Sequence, residues 1–249
     1  MGRRRGIYLL PNFLTTAGLF AGFYAIIAAL HGHFEPAAIA IFIAMAMDSL
    51  DGRIARITHT QSDFGIQYDS LADMLSFGIA PALIAYQWIL SGMGKLGWLA
   101  AFVFTAGAAL RLARFNTQVG VADKRYFQGL PSPAAAATLA STVWLGDSLH
   151  WEGPWVRLMG LMLTMALGLL MVSHVRYYSL KEFDFGGRVP LKAAILVVLG
   201  FVLISINPPQ VLFAASLIYV VSGPLLTVVH IQRRRAQRRA GLEKRLKNR

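Results

Sequence analysis

Four aspartates stand at fixed spacing between two strongly apolar stretches of this chain: Asp48 and Asp51, then Asp69 and Asp73. The full run reads D-x2-D-G-x2-A-R-x8-G-x3-D-x3-D, with Gly52, Ala55, Arg56 and Gly65 as its other defined positions. On a helix, residues three or four apart share a face, so each pair of acids points the same way. Ionised carboxylates in a poorly solvated setting repel one another and call for a cation among them. All-oxygen ligation by Asp suits Mg²⁺ or Mn²⁺, which bind a few carboxylates together with substrate phosphates. Gly52 and Ala55 leave a notch without bulky side chains beside the acids. Arg56 adds a planar fork for phosphate oxygens. Asp63 lies outside this spacing and suits a helix cap instead.

The elements that must hold these residues are membrane helices. Of the 249 residues, 56% are hydrophobic and only 14% charged, too apolar for an ordinary soluble domain of this length. Apolar runs recur near the ~20 residues that cross a hydrocarbon core. They predict about eight transmembrane helices, over 12–30, 36–55, 69–90, 97–115, 133–149, 155–173, 191–206 and 210–231. The expected fold is therefore an all-α integral membrane bundle, one catalytic unit over 1–231 with a basic tail over 232–249.

The charges give this topology its orientation. With eight spans and the amino terminus inside, 22 of the 24 Lys and Arg residues face the cytoplasm, and only Lys95 and Arg157 face outward. A multi-pass inner-membrane protein with both termini and the acidic motif on the cytoplasmic side is the expectation. Topology also accounts for most of the net charge of +12. No aromatic-interleaved basic patch accompanies that charge, so nucleic acid is not an expected partner. The absence of cysteine excludes disulfides, thiolate metal sites and a cysteine nucleophile. Scattered histidines form no ligand spacing, and His59 reads as a solvated loop residue. Tyr177 and Tyr178 read as part of an interfacial aromatic belt.

The complete acidic spacing resembles the signature of the CDP-alcohol phosphatidyltransferases at every defined position. That resemblance implies transfer of a phosphatidyl or related group from a CDP-linked donor to an alcohol, with release of CMP. It implies two divalent ions held by Asp48, Asp51, Asp69 and Asp73, and Asp73 as general base. Gly52, Ala55 and Arg56 would face the cytidylyl part, Gly65 would permit close approach, and Pro11, Asn12 and Thr15 would lie by the nucleotide. A homodimer is also implied.

A second cluster bears on the acceptor. Arg111, Arg114 and Asn116 end one helix, and 127–136 leads into the next. With 10–15, these stretches are similar to the membrane-embedded branch of the family that takes L-serine as acceptor and CDP-diacylglycerol as donor. Two arginines on one helix face can grip a carboxylate or a phosphate. The same residues also suit anchoring to lipid headgroups. Glycerol 3-phosphate or inositol is the alternative acceptor. A divalent-cation transporter is the alternative of another class, but its acids would run through the membrane depth, whereas these gather at one mouth.

Overall fold

The protein is described here from a computed structural model that covers residues 5–58, 62–117, 126–178 and 191–247. His59 lies outside the described residues. Helices form at all eight expected places. They are α1 (Arg5–Leu30), α2 (Phe34–Ile57), a continuous helical run over Asp63–Met93, α5 (Lys95–Thr117), α6 (Ser132–Ser148), α7 (Pro154–Val172), α8 (Leu191–Ile206) and α9 (Pro208–Lys247). Within the third run, α3 (Asp63–Asp73) and α4 (Ala80–Ala85) are separated by a widened π turn at Met74–Ile79, and a second π turn follows at Tyr86–Leu90.

Five of these helical segments are long and apolar enough to cross a membrane: Pro11–Leu30, Asp63–Met93, Lys95–Thr117, Pro154–Val172 and Pro208–Val228. The other three fall short for visible reasons. The second half of α2 carries Asp48, Asp51, Arg53 and Arg56. The other two helices, α6 and α8, have 17 and 16 residues, lengths that at ~1.5 Å per residue stop short of a ~30 Å core.

Small residues set how closely the helices approach, as expected where lipid offers no hydrophobic drive for association. Ala21, Ala25, Ala28 and Ala29 of α1 are buried, as are Ala37, Ala38, Ala40, Ile41 and Ala44 of α2. A side chain at Gly22 would strike Ser76 in the first π turn, whose hydroxyl donates to the carbonyl of Gly18 at 3.2 Å. On the other side of the bundle, Gly107 of α5 meets the backbone of Gly168 in α7. The most enclosed helix is α6, buried nearly end to end from Ser132 to Gly146.

Two three-residue strands interrupt the helical pattern. β1 (Tyr126–Gln128) pairs antiparallel with β2 (Arg176–Tyr178), Phe127 opposite Tyr177. Tyr177 is fully buried, which corrects its reading as an interfacial residue; Tyr178 is 43% exposed. The Tyr177 hydroxyl donates to the carbonyl of Val220 at 3.0 Å, and its ring lies against Gly223 of α9. Burial, with Tyr219 beside it, pushes this phenol up to about 12, so it stays a donor. Gly129, at φ +79°, turns the chain from β1 into α6 where a side chain would strike the carbonyl of Met171.

The α5–α7 contact gives a direct test of this packing. A Cβ on Gly168 would come within 2.8 Å of the Phe104 Cα and the Val103 carbonyl oxygen. Gly168→Val is expected to destabilise the bundle by about 1–3 kcal/mol, read as a lower unfolding midpoint in detergent. An unchanged midpoint would show that the two helices are free to separate.

Candidate active site

The acidic spacing survives into three dimensions as one recess. Asp48 and Asp51 lie one turn apart in the second half of α2, Asp69 and Asp73 lie one turn apart on α3, and all four line a single cavity with Thr15, Gly18, Ala44, Ala72, Ser76 and Phe77. Carboxylate oxygens of Asp48, Asp51 and Asp69 lie within 4.8 Å of one another. Asp73 stands outside that mutual group but within range of the charges of Asp48, Asp69 and Asp51. The space enclosed is about 10 Å³, on the order of what one water molecule needs. An all-oxygen donor set around so small a hole fits a hard divalent cation.

Local structure explains why the acids converge. The side chain of Ser62 caps α3 by accepting from the Gly65 amide at 3.0 Å, so Asp63 takes the first helical position rather than the cap. The π turn begins immediately after Asp73, and Pro81 follows it. Proline has no N–H to return to residue 77 and its ring crowds that carbonyl, which a widened turn relieves. Such turns recur at functional sites. On the opposite wall, Thr15 Oγ1 donates to Asp51 Oδ2 at 2.8 Å and also reaches the carbonyl of Pro11 at 3.1 Å. Asp51 is only 5% exposed, so this bond fixes the rotamer of a carboxylate that water scarcely reaches.

Beside the acids lies the expected notch. A Cβ on Gly52 would meet nothing within 4 Å. Ala55 follows on the same helix, half-buried, and exposed Arg56 folds back so that its Nε donates to the Gly52 carbonyl at 2.8 Å. A Cβ on Gly65 would lie 3.5 Å from Asn12 Oδ1, so these two expected positions are neighbours. Thr16 and Tyr68 share a hydrogen bond of 2.9 Å that ties α1 to α3 there.

The second cluster divides. Arg111 is buried and feels the charge of Asp73. Arg114 Nη2 donates to the carbonyl of Val172 at 3.3 Å. The Asn116 amide donates to Ser70 Oγ at 3.0 Å, next in sequence to Asp69. Ser132, within the 127–136 stretch, accepts from Arg111 Nη1 at 3.5 Å, and two residues that sequence reasoning did not single out belong to this region: Ser70, and Tyr219 of α9, which feels the charge of Arg111. A hydroxyl in an apolar helix carries no periodic signal, so only tertiary placement reveals them.

Comparison with known proteins agrees with this geometry. Residues 8–172 match the family model of CDP-alcohol phosphatidyltransferases. A CDP-diacylglycerol–serine O-phosphatidyltransferase of Helicobacter pylori (strain ATCC 700392 / 26695) is 37% identical over 218 residues, 87% of this chain and 90% of that protein. The protein of the same name from Methanocaldococcus jannaschii is 35% identical over 201 residues, 80% of this chain and 89% of its own. An archaetidylserine synthase of Methanothermobacter thermautotrophicus is 32% identical over 170 residues, 68% of this chain and 69% of its own.

The Thr15–Asp51 bond yields a measurable expectation. Thr15→Val keeps the shape but removes the donor, and should weaken Mn²⁺ binding by about 10-fold to 100-fold, the usual effect of losing a group that orients a ligand. Titration calorimetry on the purified protein reads this directly. Unaltered affinity would mean that Asp51 needs no such support.

Proposed function

Because the chain belongs to the CDP-alcohol phosphatidyltransferase family, we propose that it transfers the phosphatidyl group of CDP-diacylglycerol to the hydroxyl of L-serine, releasing CMP. The observation that carries this reading is the gathering of Asp48, Asp51 and Asp69 within 4.8 Å, with Asp73 on the same cavity. The names of the relatives from Helicobacter pylori and Methanocaldococcus jannaschii support serine as the acceptor.

In this reading Asp48, Asp51, Asp69 and Asp73 hold two Mg²⁺ or Mn²⁺ ions. Bound there, such ions neutralise the donor diphosphate and polarise its phosphorus. The remaining work falls to the chain. Pro11, Asn12, Thr15, Gly52, Ala55 and Gly65 shape the side on which the cytidylyl part lies, a reading that the open space over Gly52 supports. Arg56 is the nearby fork for phosphate oxygens. The serine hydroxyl oxygen attacks the phosphatidyl phosphorus while Asp73 takes its proton. A new P–O bond forms, the P–O bond to CMP breaks, and CMP leaves with that electron pair. In this reading transfer is direct, the serine oxygen itself displacing CMP. Arg111, Arg114 and Asn116 serve the acceptor or the phosphate.

The remaining features of the reading concern the membrane. In this reading all eight helical segments cross it, with α6 enclosed by its neighbours. Both termini and the acidic recess face the cytoplasm of the inner membrane, as the distribution of Lys and Arg supports. The basic end of α9 is a tail beyond the catalytic unit, and the enzyme works as a homodimer.

Release of CMP by purified protein given CDP-diacylglycerol and competing labelled alcohols tests the whole scheme. Serine should be consumed in preference to glycerol 3-phosphate or inositol, and EDTA should stop the reaction until Mn²⁺ is restored. Asp73→Asn should slow turnover by about 10²-fold to 10⁴-fold while the donor still binds. Wild-type turnover in that variant would remove Asp73 from the proton transfer.

A further inference from the structure

The two arginines of α5 are built into different surroundings. Arg114 is half-buried and its Nη2 donates to Val172, the last residue of α7, at 3.3 Å. Carbonyls at a helix C-terminus lack intrahelical partners and favour a cation, so this contact is a clasp between α5 and α7. Arg111 is 9% exposed. Its one hydrogen bond among the described residues is the long 3.5 Å contact from Nη1 to Ser132, and its Nε is buried without a partner. A guanidinium offers five donors, and a buried charged donor left unmatched is costly. Such a residue keeps donors free for a second anion besides Asp73.

Its position suits the acceptor more than the donor. The open surface over Gly52, with Arg56 and the Asn12–Gly65 contact, lies among α1, α2 and α3. Arg111 instead lies toward α6 and α9, beside Ser132 and Tyr219, while still feeling the charge of Asp73. In serine only two carbons separate the hydroxyl oxygen from the carboxylate carbon. A cation that grips the carboxylate while the hydroxyl meets Asp73 must therefore be a close neighbour of Asp73.

Connections from the end of the chain hold Arg111 there. The Tyr219 hydroxyl donates to the carbonyl of Tyr178 at 3.2 Å, and its ring centre lies 5.6 Å from that of Tyr177, which in turn bonds Val220. That pins α9 to β2. The Gly129 amide donates to Val175 at 2.8 Å and the Leu130 amide to Leu170 at 3.0 Å, which carries the alignment to Ser132 and so to Arg111. Both Tyr219 and Tyr177 lie beyond the 8–172 segment matched by the family model.

We propose, resting on the functional reading above, that Arg111 receives the carboxylate of the acceptor amino acid, that Tyr219 positions it from α9, and that Arg114 clasps α5 to α7. The test is steady-state kinetics on the purified full chain, varying serine and CDP-diacylglycerol separately and comparing serine with serinol, which keeps the hydroxyl and amine but lacks the carboxylate. Arg111→Gln should raise KM for serine about 10-fold to 100-fold, the loss expected for hydrogen bonds between charged groups, hold the donor KM, and erase the preference for serine over serinol. Tyr219→Phe keeps the ring and should raise KM for serine about 3-fold to 10-fold with the donor KM held. Arg114→Gln should lower the unfolding midpoint and move both KM values together.

Equal shifts of both KM values in Arg111→Gln, or a serine-selective shift in Arg114→Gln, would overturn the assignment while leaving serine transfer intact. Should Arg111→Gln fail to fold, Tyr219→Phe decides, and the absence of a serine-selective shift there overturns it. A wild-type protein that ignores serine but consumes glycerol 3-phosphate would overturn the functional reading, and this assignment with it.

Discussion

Mutual repulsion among carboxylates in a thinly solvated bundle is the constraint around which this molecule is arranged. Three acids brought within 4.8 Å, one of them 5% exposed, would relax apart if the helices carrying them could slide. They are prevented from sliding by contacts that leave no slack. The floor of the recess is α1 against the first π turn, where Gly22 admits Ser76 and the Gly18 carbonyl accepts its hydroxyl. Thr15, one helical turn before Gly18, reaches Asp51 across the contact of α1 with α2. The polar centre and the small residues are thus one device, since the hydrogen bond exists only because the backbones come so close.

The bundle divides the labour between its parts. Helices α1 to α4 carry the acids and the open notch, on rigid backbone stiffened by close packing. The later helices carry Arg111, Ser132 and Tyr219, held by the β1–β2 pair and by α9, with Arg111 in range of the charge of Asp73. Between them stands Asp73, coupled by charge to the acids on one side and to Arg111 on the other. In the proposed reaction a side chain so placed would answer to both substrates.

Much of the first part was legible in the sequence because its logic is local. Spacings of three and four residues decide helix faces without knowledge of the fold, so Asp48 with Asp51 and Asp69 with Asp73 could be paired from spacing alone. The helix positions were legible for a similar reason, each following an apolar run. What could not be read depends on distant contacts. Tyr177 sits near Arg176 in a polar stretch, as an interfacial tyrosine would, yet the glycine that makes room for its ring is 46 positions on, at Gly223. Three-residue strands are too short for alternation to register, and the π turn leaves no sequence trace beyond Pro81. Nor could spacing separate Arg111 from Arg114, since both lie on one helix face and differ only in what packs against them.

The proposed reaction also explains why the recess belongs at the end of the spans rather than in the middle of the bundle. A lipid donor keeps its acyl chains in hydrocarbon, while an amino acid and the released nucleotide are soluble only in water. The reacting phosphorus must therefore sit where both can reach it, at the depth of the four acids in the second half of α2 and the second half of α3. Full burial would deny entry to the acceptor, and full exposure would let water compete for the phosphorus. A recess ringed by acids, with the buried Arg111 in range of the charge of Asp73, meets both demands.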